Sequence, residues 1–168
     1  ETTKLVITRD SMLLSELIHA QDSCILIVTP EIRELQDIES NLRKLRGEDI
    51  LSLGTELSAY LTGVPQRQWE RETRNLMTMK CRETSSDLLI CSQIDILFEP
   101  ELLLDPLALF QSWSRIKRLL VLWPGTIQDG KLSYAVPEHA HFRTWQQLDT
   151  SILDWQTQHI YHKFSHLT

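Results

Sequence analysis

Four short apolar runs constrain what this chain can fold into. Cys24 to Val28, Ile50 to Leu53, Asp87 to Cys91 and Leu119 to Trp123 are each four or five residues long. They are too short for ordinary helices and lack the polar alternation of a half-exposed strand, so each predicts a strand buried on both faces. Helical patterns separate them. Met12, Leu13, Leu14, Leu17 and Ile18 follow the cap residues Asp10 and Ser11. From Pro30 to Arg46, Ile32, Leu35, Ile38, Leu42 and Leu45 recur every three or four positions, with Glu31 and Glu34 early, Lys44 and Arg46 late, and Gly47 as the stop. Further helices are expected over Thr55–Leu61, Gln66–Cys81 and from Asp105, an N-cap before Pro106, to about Arg115.

Strands alternating with helices in this way predict a three-layer α/β domain around a mostly parallel sheet. Pro124 and Gly125 are expected to stop the fourth strand, and Asp129 with Gly130 predicts a tight hairpin turn into a fifth, Leu132 to Ala135. Beyond Phe142, Leu148, Ile152, Trp155, His159 and His162 fall at helical spacing. The expectation is therefore an α/β domain with a five-stranded sheet over residues 1–143, and a helical tail over 144–168 packed on it.

Charge and cysteine usage narrow the function classes. Seventeen Lys and Arg against 23 Asp and Glu leave a net charge of −6, which argues against a broad basic face for DNA. Cys24, Cys81 and Cys91 are too few and too scattered for a disulfide framework, so a reducing cytoplasm is the expected compartment. No apolar run approaches the about 20 residues that span a bilayer, and the opening residues lack signal-peptide grammar, so no membrane partner is expected.

In open parallel sheets, ligands sit at the C-terminal ends of the strands, which directs attention to the turns after Val28, Cys91 and Trp123. A phosphate cradle after a first strand needs glycines, whose N–H groups converge on the anion, and a lysine. Here the turn reads Thr29, Pro30, Glu31, Ile32, Arg33, Glu34, and the first glycine of the chain is Gly47. Proline removes a donor, and two carboxylates occupy the positions an incoming phosphate would approach. Two like charges 4 Å apart at an effective dielectric near 20 cost about 4 kcal/mol, roughly three powers of ten in affinity. A helix start whose dipole is met by its own acids accounts for these residues better, with Arg33 as the one candidate anion contact. After the third strand, the position suited to a magnesium-binding acid is Ser92, and Asp95 follows three residues on as a candidate base or metal ligand, or simply a turn residue.

The stretch from Ile94, IDILFEPELLLDPLALFQSWSR, with LLVLWPG and GKLSYAVPEHAHFR after it, resembles the BrxF family, the small P-loop protein of type 3 BREX phage-defence systems. The similarity spans about Cys24 to Arg143 and includes LGTELSAYL at Leu53–Leu61. The resemblance implies a P-loop NTPase-type fold, with a phosphate loop at Thr29–Leu35 and a metal-binding aspartate at Ser92. Neither set of functional residues is present. It therefore implies a non-catalytic subunit with no cofactor, docking to other subunits of an antiphage complex, a large ATPase among them.

Two other readings stay open. Ser114, Arg115, Ile116, Lys117 and Arg118 precede the fourth strand, where the family has a similar Ser-Arg. Arg115 and Lys117 would touch a phosphate, Arg115 completing a shared site for ATP and magnesium, or they would only satisfy a helix C-terminus. Arg67, Arg71, Arg74 and Lys80 would form a nucleic-acid face, although Glu70 and Glu72 among them favour a salt-bridged surface. His159, His162 and His166, with His139 and His141, are weak metal candidates. Cys91 reads as a core residue more readily than a nucleophile. Trp69 and Trp155 are candidate anchors for a partner.

Overall fold

A computed structural model of the protein describes residues 9–136, 138–146 and 148–162. The apolar runs become strands β1 (Cys24–Thr29), β2 (Ile50–Ser52), β3 (Leu88–Ser92) and β4 (Arg118–Gln128), and the periodic segments become helices α1 (Arg9–Ile18), α2 (Ile32–Arg46), α3 (Leu53–Leu61), α4 (Trp69–Glu83) and α5 (Pro106–Trp113). Asp105 caps α5 by accepting the Ala108 N–H, as its place before Pro106 predicts. Four more strands follow β3 and β4: β5 (Lys131–Tyr134), β6 (Arg143–Trp145), β7 (Ser151–Asp154) and β8 (His159–Tyr161) complete the set, giving eight where five were expected.

The main sheet runs β2-β3-β4-β1-β7-β8, parallel through β7, with β8 antiparallel at its edge. Its interior strands are buried on both faces, and alternate residues enter two cores. Cys24, Leu26 and Val28 of β1, with Leu89 and Cys91 of β3, pack under α3, α4 and α5. Ile25, Ile27, Leu88 and Ile90 pack under α1 and α2 with Leu14, Leu17, Ile38 and Leu42. The domain is thus three-layered, helices covering both faces of a mostly parallel sheet.

Two sequence expectations are corrected. Pro124 and Gly125 do not end β4; they mark where it changes partner, from β1 through Thr29–Pro124 to β5 through Gly125–Tyr134. Proline is tolerated there because the ladder is switching, and glycine is required because a Cβ on Gly125 would lie 1.8 Å from the Ser133 carbonyl oxygen. The Asp129-Gly130 pair does form the hairpin turn, both residues at positive φ. The tail expected as a helix over 144–168 is strand wherever it is regular between Thr144 and His162: β6 ends there, β7 pairs with the free edge of β1, and β8 folds back on β7. Its helical spacing is coincidental. Ile152 and Leu153, adjacent in sequence, are both buried on opposite faces, the signature of an interior strand. Residues 163–168, His166 included, lie outside the described residues.

Candidate functional site

The C-terminal ends of β1 and β3 lie on one edge of the sheet, and α2 leaves from β1 directly above it. Between them is a cleft of about 220 Å³ lined by Ile32, Leu35, Glu39, Ser92, Asp95 and Pro124 among others. That is smaller than the about 300–1,000 Å³ of typical small-molecule pockets. The structure therefore gathers Ser92 and Asp95 with Ile32, Leu35 and Glu39 of α2, while Thr29, Pro30, Glu31 and Arg33 are not among the lining residues.

Thr29 is fully buried, and its hydroxyl is used twice: it accepts the Glu31 N–H at 3.2 Å and donates to Glu34 Oε2 at 3.0 Å. The turn after β1 is closed by these bonds. Pro30 is half-buried, while Glu31 and Arg33 are exposed on the α2 side of it. At β3, Ser92 Oγ donates to Glu39 Oε1 at 2.7 Å, and the same oxygen receives Arg43 at 3.1 Å. Arg43 also donates to Ser52 Oγ at 3.1 Å, so a polar chain from α2 spans the ends of β2 and β3. Glu39 thus delivers from a helix the carboxylate that the strand end lacks.

This arrangement does not fit a triphosphate with magnesium. The turn offers no lysine and no run of glycine N–H groups, its threonine is committed to a carboxylate, and Glu39 is already neutralised by a guanidinium that would repel a dication. Asp95, exposed on the 3-10 turn Ile94–Phe98, accepts the Tyr134 hydroxyl at 2.8 Å, which ties the β5 hairpin to the end of β3. Burial first, then that hydrogen bond and the charge of Asp95, hold the Tyr134 phenol above its ordinary range, so it remains a neutral donor.

Glu39 was not singled out by sequence reasoning. Its signal is positional: it follows Leu35 by four residues and adjoins Ile38 on the apolar stripe of α2, so it must border the sheet rather than face water.

The cationic candidates lie elsewhere. Arg115 and Lys117 occupy the turn between α5 and β4, and Arg118 is aligned with Leu88, the first residue of β3. At about 3.3 Å per residue, the strand carries Ser92 about 13 Å from that level, so neither cation reaches the cleft of its own chain. Lys117 Nζ instead donates to the Thr84 carbonyl at 2.9 Å and to that of Ser86, while Arg115 is exposed. On the proposed nucleic-acid face, Arg71 pairs with Glu72 at 3.4 Å, Arg74 with Glu70 at 3.2 Å and Lys80 with Glu56 at 3.7 Å, leaving Arg67 exposed. The positive stripe is therefore largely cancelled by its own acids.

Among the described residues, no three His, Cys, Asp or Glu side chains converge to hold a metal. His159 sits on β8 against Tyr161, and His139 lies beside His141. All three cysteines are buried, and burial pushes the Cys91 thiol well up, away from nucleophilic use. Trp155 is packed into the α1–α2 core; Trp69 packs partly against the other core and donates its indole N–H to the Val64 carbonyl at 2.8 Å. No helix among the described residues is long and apolar enough to cross a membrane. No protein-family model, curated protein or solved structure matches the chain.

Proposed function

We propose that this chain is a non-catalytic, P-loop-type α/β subunit of a bacterial antiphage assembly of the BREX kind, acting in the cytoplasm through contacts with other subunits. The P-loop assignment is supported by β1 in the interior of the parallel sheet, α2 leaving its C-terminal end, and the end of β3 on the same edge across β4. One observation carries the non-catalytic reading. At both places where nucleotide chemistry would be expected, the side-chain hydroxyl is already bonded to a carboxylate of α2: Thr29 to Glu34 and Ser92 to Glu39.

Thermal melting with and without ATP and magnesium tests it. A site with a Kd of about 10 μM would stabilise the chain by about 2.7 kcal/mol at 1 mM nucleotide, raising the midpoint by roughly 5–10 °C. The expected shift is nil, together with co-purification of the chain with the products of neighbouring defence genes. A clear shift, or ATP hydrolysis by the purified chain, would overturn the proposal.

A further inference from the structure

On the helical face away from α2, a groove of about 550 Å³ runs between the end of α3 and the ridge formed by residues 99–103. Leu61, Trp69, Ile96 and Leu102 supply its apolar lining, and Glu99 and Glu101 stand on its rim. It has more than twice the volume of the cleft at Ser92. We propose that this groove docks a segment of a partner protein that presents a lysine or arginine beside an apolar side chain. The inference rests on the reading of the chain as a docking subunit, but not on which assembly it joins.

Charge complementarity identifies the occupant. Both rim carboxylates are exposed, and among the described residues neither is answered by a permanent cation: Glu101 has no ion pair, and Glu99 has only the His141 imidazole at 3.9 Å, a partner only when protonated. Elsewhere on this face Glu56 is paired with Lys80, Glu70 with Arg74 and Glu72 with Arg71. Nucleic acid is disfavoured by the same two carboxylates. A cation between them would also lie near the Trp69 ring, and tryptophan beside arginine is a recurrent pairing in interface hot spots.

The ridge closes on a left-handed residue. Leu103 ends it in the left-handed region at φ 54, rare for a leucine, with its side chain 76% exposed. A second hollow of about 310 Å³, lined by Pro100, Leu103 and Phe142 together with Glu99, His141 and Arg143, shares the Glu99 carboxylate with the groove.

The test uses the intact chain, isotope-labelled for NMR, with two capped tetrapeptides as probes, one alternating leucine with lysine and one alternating leucine with glutamate. The lysine peptide is expected to shift amides of residues 58–69 and 96–103 saturably, and the glutamate peptide to shift none of them. The double variant E99Q/E101Q should weaken the lysine peptide about fivefold. Ser58 is exposed on α3 and lines the groove, so S58R should place an internal cation against the rim and abolish binding without changing the melting temperature. Equal binding of both peptides, shifts confined to the cleft at Ser92, or affinity unchanged in both variants would overturn the assignment. So would concentration-dependent shifts in this groove without peptide, which would give it to a second copy of the chain. ATP hydrolysis would sink only the non-catalytic reading, whereas the peptide results bear on the groove alone.

Discussion

At the N-terminal edge of the parallel sheet, cations are used as stitching. Arg118 donates to the Ala20 carbonyl at 2.6 Å and to that of Ile18, closing the end of α1, and Lys117 gathers the carbonyls of Thr84 and Ser86. Arg46 joins Asp49 at 2.6 Å to Ser86 at 2.8 Å. At the C-terminal edge the polarity is reversed: carboxylates from α2 reach back to the strand ends at Thr29 and Ser92. The difference teaches that a basic cluster read from sequence is informative only once its end of the sheet is known. Cations at the strand starts meet backbone carbonyls. Only cations at the strand ends would meet an anionic ligand.

The comparison breaks first, if it breaks, at Arg118. Arg118→Ala leaves two carbonyls of the α1 terminus unanswered and should cost about 3 kcal/mol by urea denaturation. A loss under about 0.5 kcal/mol, the scale of an inconsequential surface change, would show that the N-terminal edge is not held by its cations. Lys117→Met should cost about 2 kcal/mol by the same measurement, with Arg115→Ala near zero because Arg115 is exposed. At the opposite edge, Ser92→Ala removes the Glu39 bond and should cost about 1 kcal/mol while leaving the melting temperature insensitive to ATP and magnesium.

A position at neither edge supplies a control of opposite sign. Thr73 is fully buried on α4 and its hydroxyl has no hydrogen-bond partner among the described residues, so Thr73→Val should stabilise the fold by up to about 1 kcal/mol in thermal or urea melts. The smallest expected effect is on acid stability. Desolvation works upward on Asp87, but the charges of Arg118 and then Arg46 outweigh it and hold its carboxyl below the ordinary 3.8. The contribution is present above that value and is lost as pH falls through the depressed one. Asp87→Asn should therefore flatten the stability profile below about pH 4 and leave it unchanged in shape at neutral pH.

The parallel body was legible because its strands are buried on both faces and so appear as unbroken apolar runs, as at Ile25–Val28 and Leu88–Cys91. Turn chemistry at Asp129-Gly130 and the cap at Asp105 were legible for local steric reasons. β7 was not, because what makes Ser151–Asp154 a strand is the vacant edge of β1, more than 120 residues earlier, and nothing local to Leu148, Ile152 and Trp155 encodes that partner. For the site, Ser92 and the glycine-free turn at Thr29 were readable as departures from a phosphate-binding pattern. The bond of Ser92 to Glu39 was not, since it depends on how α2 is laid across the sheet.

The bond between Ser92 and Glu39 also bears on what this strand end can accept. Placing an aspartate at Ser92 would set a second carboxylate against one now held 2.7 Å from the serine hydroxyl, and relieving that repulsion would require a change at Glu39, which in turn strands Arg43. The end of β3 and the middle of α2 are therefore constrained as a pair, a change of charge at one being tolerated only with a compensating change at the other.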